Sequence, residues 1–275
     1  STLFPYTTLF RSDCEFLDII EKENTCFGIL AKKDEIFAIK SKFTVLATGG
    51  LGGIYKNTTN FSHIKGDGVA IAIRHNIELK DISYIQIHPT TLYSKENKRK
   101  FLISESVRGE GAILLNQKLE RFTDELKPRD KVTKAILEEM KKDKSEYEWL
   151  DFSTIKLDVK ERFPNIYRNL MENNIDPLKD KVPVVPAQHY TMGGIKVDMD
   201  SKTSMKNLYA IGEVACTGVH GKNRLASNSL LESVVFGKRA AYSIIDENNI
   251  SVYNEIKDDI FENIADKINE LFDVK

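Results

Sequence analysis

The sequence predicts an α/β fold that carries an α+β insertion. A short strand at residues 45–47 ends in a glycine turn, as strands of α/β domains often do. Asn228 and Ser229 precede an apolar run, which is typical of a capped helix start. Residues 90–190 carry loops, helices and dense charge, whereas residues 191–246 resume the pattern of short strands and glycine turns of the first part. The middle section therefore separates two stretches of similar character.

Composition limits the classes of partner. The chain has 275 residues, of which 41% are hydrophobic and 29% charged, enough for one large or two modest domains. Because the net charge is −1, the sequence predicts no general attraction to nucleic acid or to an anionic membrane. The basic run at residues 98–100 is more typical of a solvated loop than of a binding patch. No apolar run approaches the ~20 residues of a membrane span, and no signal peptide is visible.

The cysteines indicate the compartment. Cys14, Cys26 and Cys216 are odd in number and show no CxxC spacing. This pattern favours neither a disulfide framework nor a zinc site, and it predicts a reducing cytoplasm.

The first strands begin after an unassigned segment. Residues 1–12 share no period or chemistry with the rest of the chain, and we expect them to be non-native. From Asp13, the runs FLDII, CFGIL and IFAIK are separated by polar breaks, which predicts two or three short antiparallel strands. The next run, residues 45–47, is short and apolar and is predicted to be a buried strand.

Glycines mark the next two turns. Thr48-Gly49-Gly50 ends the short strand and allows the backbone to approach a ligand closely, although an ordinary glycine turn is the alternative because the motif is not GxGxxG. Gly66 and Gly68 flank Asp67 at the start of a predicted helix over residues 69–74. Capping of that helix by Asp67 is favoured over a contact with a ligand hydroxyl.

The following strand presents a histidine. Between residues 81 and 90, Tyr84, Gln86 and His88 share one face, and Pro89 is expected to end the strand. His88 therefore lies where a strand meets a loop, a usual place for functional side chains, although a structural histidine is the commoner case.

The insertion contributes an arginine in an unusual place. Val132, Ile136 and Met140 recur at spacing four, which predicts an amphipathic helix. Arg129 stands at its start, where the helix dipole prefers acids, so the residue is expected to have another task. The alternative is an exposed arginine paired with Asp130.

The last part supplies an acid and a second arginine. Glu213 follows a short strand and a glycine, where an acid can bind a ribose or ribityl hydroxyl. Arg224 lies in the loop before the helix of Ser229, and its guanidinium can bind a carboxylate through two hydrogen bonds. A polar loop with an ordinary cap is the alternative. Residues 247–275 are predicted to be helical.

A string of motifs carries a family resemblance. In chain order they are ATGG, GDG, QIHPT, SESVRGEGA, PRD, AQHYTMGGI, AIGEVACTGVHG and NRLASNSLLE. Over residues 13–246 the chain resembles the succinate dehydrogenase/fumarate reductase flavoprotein superfamily, and most closely its L-aspartate oxidase branch. Succinate dehydrogenases usually carry glycines before NSLL, whereas this chain has RLASNSLLE.

The resemblance implies a partial FAD-binding, Rossmann-like domain with a capping domain. Residues 13–88 and 191–246 would form the two parts of the FAD-binding domain, and residues 89–190 the mobile capping domain. Residues 247–275 would begin a C-terminal helical region. The GxGxxG unit and most of the C-terminal helical domain of the superfamily are missing from this sequence, so we expect an internal fragment that binds FAD weakly or not at all by itself.

The resemblance also implies residue roles. The substrate's two carboxylates would be held by His88, Ser104, His189 and Arg224. Arg129 would transfer the proton. The cofactor would meet the turn formed by Thr48, Gly49 and Gly50, together with Asp67, Glu213, Ser229 and Leu230.

The implied reaction is the oxidation of L-aspartate to iminoaspartate. Oxygen, giving hydrogen peroxide, or fumarate would accept the electrons, and the product would enter quinolinate and hence NAD synthesis, with quinolinate synthase as a partner. A succinate dehydrogenase or fumarate reductase flavoprotein subunit and an inactive truncated fragment are the alternatives.

Overall fold

The computed structural model describes residues 12–96 and 99–249, with side chains up to residue 247. The predictions for residues 1–11 and 250–275, and for Lys98, lie outside the described residues. The strands are β1 (Glu15–Lys22), β2 (Thr25–Lys32), β3 (Ile36–Lys40), β4 (Thr44–Leu46), β5 (Leu79–Lys80), β6 (Ile85–Leu92), β7 (Ile113–Leu115), β8 (Glu148–Asp151), β9 (Val182–Thr191), β10 (Gly194–Lys196), β11 (Leu208–Ala210) and β12 (Ala215–Cys216). The helices are α1 (Asp67–Arg74), α2 (Glu105–Gly109), α3 (Arg129–Asp143), α4 (Val159–Arg162), α5 (Pro164–Glu172) and α6 (Asn228–Asn249).

The first three strands form an antiparallel sheet in the order β1-β2-β3, as predicted. In β2 every second residue from Cys26 to Leu30 is buried, whereas β1 buries three consecutive residues, 18–20. Ile19 and Leu30 are each 1% exposed.

The rest of the first and last parts of the chain forms small mixed sheets. β4 pairs with β11 in parallel, and β10 pairs in parallel with β12 and antiparallel with β5. The helix α1 packs on them through Val69, Ile71 and Ala72. Strands close in space thus come from both sides of the insertion, which confirms the predicted α/β fold with an inserted section.

The prediction of a buried strand at residues 45–47 is wrong in part. The strand β4 ends at Leu46, which is buried, but Val45 is 39% exposed and Ala47 lies exposed beyond the strand. Successive side chains of a strand point to opposite faces. In the described part of the chain, only the face of Leu46 is covered.

Helix α1 begins on a glycine. Gly66 is the N-cap, with a left-handed backbone at φ 89°, and no side chain caps the helix. The preference for Asp67 as the cap is therefore wrong, because Asp67 is already the first helical residue and is exposed. Gly68 lies against Thr48, where an added Cβ would stand 2.3 Å from the Thr48 hydroxyl.

The insertion is built on an antiparallel sheet of four strands in the order β6-β9-β8-β7. Pro89 does not end its strand, contrary to the prediction, since β6 continues to Leu92. The register between His88 and Thr91 is irregular, and such a bulge admits a proline that cannot donate a ladder hydrogen bond. The predicted faces are confirmed, with Gln86 and His88 buried.

Helix α3 covers this sheet, and it is amphipathic as predicted. Val132 and Ile136 are fully buried, and Met140 packs against the same core. The insertion thus has a hydrophobic core of its own. The strands β6 and β9 cross the predicted boundaries of the insertion, at residues 88/89 and 190/191, and the division into domains stays a prediction.

Helix α6 begins at Asn228, where the sequence predicts a helix start, and it runs past residue 246. Its first turns expose large apolar side chains, with Leu230 at 74%, Leu231 at 64% and Val234 at 70% exposure. Across the described part of the chain, every helix is too short or too polar to span a membrane.

Candidate active site

Arg129 is buried at the first residue of α3. Its Nε and Nη2 lie 2.8 and 2.7 Å from Oε2 of Glu105, and its Nη1 donates to Oε1 of Gln86 at 2.9 Å. The side chain is 9% exposed, so the alternative of an exposed arginine paired with Asp130 is wrong. Asp130 instead approaches Lys131 at 3.7 Å. The guanidinium at the helix start therefore meets a carboxylate and an amide oxygen.

Gln86 connects this arginine to a second one. While its Oε1 accepts from Arg129, its Nε2 donates to the backbone carbonyl of Arg224 at 2.7 Å and to Oδ1 of Asn223 at 3.1 Å. The sequence placed Gln86 on the face of His88 but gave it no role. A buried amide on the face of a candidate functional residue was the signal that could have identified it.

Arg224 is buried without a carboxylate partner. It is 5% exposed, and its Nη1 donates to the Ser229 hydroxyl at 3.2 Å and to the Leu225 carbonyl at 3.3 Å. Its Nε is buried with no hydrogen bond, and its Cζ lies 4.7 Å from the centre of the Tyr190 ring. Within residues 12–96 and 99–249 it forms no ion pair, so Nε remains available to an anion.

Two histidines lie in the same neighbourhood. The rings of His88 and His189 meet edge to face, with their centres 5.4 Å apart. Burial lowers the pKa of His88 well below its ordinary value, and burial together with Arg224 and Arg129 lowers the pKa of His189 to about 4. Both imidazoles are therefore neutral at pH 7, and each has one N–H donor.

The histidine side chains are also fixed by neighbouring groups. His189 places Nδ1 2.8 Å from the Thr59 hydroxyl, and His88 places Nδ1 against the backbone of Thr90. Such contacts orient an imidazole and leave its Nε2 for other partners.

Ser104 is the N-cap of α2. Its hydroxyl accepts from the backbone N–H of Ser106 at 3.3 Å. The following residue, Glu105, is the partner of Arg129, and Arg108 on the same short helix is buried with Nε and Nη2 unbonded. The structure therefore brings His88, His189, Arg129 and Arg224 into one neighbourhood, with Ser104 next in the chain to the carboxylate partner of Arg129.

A second group joins the glycine turn to Glu213. Oε1 of Glu213 accepts from the Thr191 backbone N–H at 2.8 Å, and a Cβ added to Gly50 would stand 2.4 Å from that oxygen. Burial raises the pKa of Glu213. Gly49 has φ 76°, and the Thr48 hydroxyl is buried without a hydrogen-bond partner. This turn and its acid form a compact polar cradle.

The other predicted cofactor positions are dispersed. Asp67 is exposed at the start of α1, and Leu230 is exposed at the start of α6. Ser229 contacts Arg224 through its hydroxyl. Asp67 directly precedes Gly68, which lies against Thr48 of the cradle.

A cavity of about 450 Å³ opens beside Arg129. Gln86, Thr133 and Asn223 contribute to its wall, but His88, His189 and Arg224 do not. The cavity therefore reaches the group only at Arg129 and Gln86.

The comparisons with known proteins agree on a flavoprotein. Residues 3–230 match the family model described as FAD binding domain. The chain is 58% identical over 235 residues to an L-aspartate oxidase of Clostridium perfringens, covering 84% of this chain and 54% of that protein. A second L-aspartate oxidase, from Clostridium acetobutylicum, is 55% identical over 233 residues, covering 84% of this chain and 54% of that protein.

A solved structure extends the likeness to the fold. A quinol-fumarate reductase with menaquinol molecules superposes with a TM-score of 0.82 at 33% identity, over 94% of this chain and 49% of that chain. The chain spans about half the length of the curated relatives it matches.

Proposed function

Since this chain belongs to the FAD binding domain family, we propose that the protein to which it contributes oxidises L-aspartate to iminoaspartate with FAD as cofactor. Two relatives more than half identical to it are named L-aspartate oxidases. The observation that carries the proposal is the pair of buried arginines, Arg129 and Arg224, beside two neutral histidines. This arrangement suits a small, doubly charged anion.

The substrate's charge explains the choice of residues. L-aspartate has a carboxylate at each end, and each needs hydrogen-bond donors to replace water. We assign Arg224, whose Nε is unbonded, to one carboxylate, where a charge-assisted bond is strong. His88, His189 and Ser104 would supply neutral donors, which bind an anion without adding further charge to a site that already holds two arginines. These bonds fix the substrate's Cα–H in one orientation.

Arg129 would move the proton that the amine loses. An arginine in water is a poor base, because its pKa exceeds about 12. The contacts of both Nε and Nη2 with Glu105 offer a solution. If Arg129 gives one proton to Glu105 as it accepts another from the amine, the guanidinium stays charged throughout. The Glu105 side chain is 41% exposed, so it can release the proton to solvent.

The residues present fit the cofactor. The Thr48 hydroxyl is buried without a partner, and the glycine turn leaves no room for a Cβ beside Glu213. An unpaired hydroxyl and a buried acid with a raised pKa suit hydroxyl and amide groups of FAD, and we assign Thr48, Gly49, Gly50 and Glu213 to it. Asp67, Ser229 and Leu230 would contribute further contacts. When bound, FAD supplies the two-electron acceptor.

The wider setting is part of the same proposal. Residues 13–88 and 191–246 would form the FAD-binding domain, and residues 89–190 a capping domain that excludes water from the site. Oxygen or fumarate would reoxidise the enzyme. Iminoaspartate would pass to quinolinate synthase for NAD synthesis, in the cytoplasm, where free thiols such as those of Cys26 and Cys216 persist.

Oxidation of succinate is the second candidate. The solved relative named a quinol-fumarate reductase is 33% identical to this chain, and its name gives fumarate as the molecule it reduces. The carboxylate-binding groups of the site would serve a four-carbon dicarboxylate with or without an amine.

The complete enzyme with bound flavin distinguishes the two candidates. Its visible absorbance is recorded without oxygen before and after addition of L-aspartate or succinate. Bleaching by L-aspartate alone supports the proposal, and bleaching by succinate alone favours the second candidate. Reduction by neither substrate contradicts both.

A further inference from the structure

Tyr190 lies directly beneath the guanidinium of Arg224. The Cζ of Arg224 is 4.7 Å from the ring centre, and both residues are buried, Tyr190 at 8% and Arg224 at 5% exposure. A cation at this distance over an aromatic face is attracted by the ring's electrons, and the attraction strengthens when water is excluded.

The tyrosine is held at its other end by a buried carboxylate. Its hydroxyl donates to Oε2 of Glu232 at 3.2 Å, and Nε2 of His220 donates to the same oxygen at 2.7 Å. The Thr217 hydroxyl donates to Oε1. The side chains of His220 and Glu232 are 5% and 2% exposed. Each carboxylate oxygen therefore has a donor, and the tyrosine ring has a fixed position.

The aromatic face and the carboxylate of Glu232 compensate for the burial of the Arg224 guanidinium. A buried guanidinium needs nearby negative charge or polarisable groups, because burial removes the water that would solvate it. A carboxylate bound directly to Arg224 would occupy the N–H groups that a substrate needs. The aromatic face stabilises the cation without accepting a hydrogen bond in the guanidinium plane, and Glu232 supplies negative charge from the rim of the ring. The unbonded Nε of Arg224 agrees with this separation.

We propose that Tyr190, braced by Glu232 and His220, is a positioning residue that holds Arg224 ready to bind a carboxylate. The inference rests on the proposed function, since it gives Arg224 the substrate to bind. His220 and Glu232 thereby have a role in the same site as Arg224.

Two substitutions separate the ring from its hydroxyl. Tyr190→Phe keeps the aromatic face, and Tyr190→Leu removes it. The probe is fumarate, added to the oxidised holoenzyme. Fumarate is a dicarboxylate that neither gives a hydride to the oxidised flavin nor receives one from it, so it binds without reacting. Binding is followed by the flavin absorbance. We expect Tyr190→Leu to raise the dissociation constant at least tenfold and Tyr190→Phe to raise it less than threefold.

The KM and kcat for L-aspartate distinguish a positioning role from a merely structural one. Tyr190→Leu is expected to raise KM by a similar factor while kcat at saturation stays within about threefold, because the proton-transfer residues are untouched. Glu232→Gln, which keeps the shape but removes the charge, is expected to raise the dissociation constant of fumarate about threefold to tenfold. It tests the contribution of the Glu232 charge independently if Tyr190→Leu does not yield a holoenzyme.

The outcomes are distinct. Equal affinities of wild type and Tyr190→Leu, equal weakening in Tyr190→Leu and Tyr190→Phe, or an unchanged affinity in Glu232→Gln would overturn the positioning role alone. A wild-type holoenzyme that neither binds fumarate nor is reduced by L-aspartate would overturn the proposed function, and this inference with it.

Discussion

Arg129 and Arg224, two buried arginines of the candidate site, are held in opposite ways. Arg129 meets a carboxylate through two nitrogens, Nε and Nη2, and meets Gln86 through a third. Arg224 has no carboxylate partner in the described part of the chain and rests on the face of Tyr190, with Nε unbonded. Gln86 contacts both, since it accepts from the side chain of Arg129 and donates to the backbone of Arg224.

The difference teaches how one residue type can serve two purposes. A guanidinium already saturated by Glu105 has a proton acceptor at hand, which suits proton transfer. A guanidinium with an unbonded N–H group and no carboxylate in direct contact is an anion site. Four predictions test this assignment of proton transfer to Arg129 and of carboxylate binding to Arg224. They concern the complete enzyme and run from the largest expected effect to the smallest.

Removal of Arg129 is expected to affect the chemistry most. Arg129→Gln should lower turnover of L-aspartate by about 10² to 10⁴, the range for loss of a proton-transfer group, because the amine proton loses its acceptor. Steady-state kinetics measures the effect. Arg162→Gln, at an exposed arginine paired with Glu110, is the matched control and should leave turnover unchanged. A loss below tenfold would remove Arg129 from proton transfer.

Removal of Arg224 is expected to affect binding. Arg224→Gln should raise the dissociation constant of fumarate about 10- to 100-fold, since a charge-assisted hydrogen bond contributes about 1.5–3 kcal/mol. Titration of the flavin absorbance measures it. Arg239→Gln, on the helix that follows the loop of Arg224, has a side chain 42% exposed and paired with Asp200, and it serves as the control. Unaltered affinity in Arg224→Gln would place the carboxylate elsewhere.

The partner of Arg129 is expected to have an intermediate effect. Glu105→Gln keeps hydrogen-bonding oxygen beside Arg129 but cannot take up a proton as a carboxylate does. Turnover should fall about tenfold to 100-fold while the affinity for fumarate changes little. Glu110→Gln, at a neighbouring acid, is the control. If affinity fell and turnover did not, Glu105 would belong with the binding groups.

The pKa of His189 depends on the charges of Arg224 and Arg129. Burial, Arg224 and Arg129 lower its pKa from 6.5 to about 4 in the folded protein. As the pH falls from about 6.5 to about 4, the unfolded chain takes up a proton that the folded chain does not, so the free energy of unfolding falls. In His189→Gln this fall in the free energy of unfolding should be smaller by an amount on the order of 2 kcal/mol. Urea unfolding at several pH values measures it. Identical pH profiles for the two proteins would show that His189 is not kept neutral.

The sequence carried the local patterns of the fold well. The alternation of Gln86 and His88, the period of the helix with Val132 and Ile136, and the helix start at Asn228 were all readable from spacing. Pro89 was misread because the bulge that admits it depends on the pairing with β9, which is remote in sequence. Val45 was misread for a related reason, since apolar character does not tell which strand face is covered.

The site shows the same limit. Arg129 stood out because its charge conflicts with the helix dipole, and its burial agrees with that signal. Tyr190 gave no such signal, because a phenol is compatible with any half-buried strand, and the signal of Gln86 was only its place on the face of His88. Their contacts with Arg129 and Arg224 arise only when β6, β9 and the loop before α6 meet in space.

The division between the two arginines is tested most directly by rapid mixing of L-aspartate, without oxygen, with holoenzyme carrying either Arg129→Gln or Arg224→Gln. The limiting rate of flavin reduction reports the chemistry, and the half-saturating concentration reports binding. The proposal predicts that Arg129→Gln lowers the limiting rate with little change in half-saturation, whereas Arg224→Gln raises half-saturation with little change in limiting rate. The reverse pattern, or the same pattern in both variants, would contradict it.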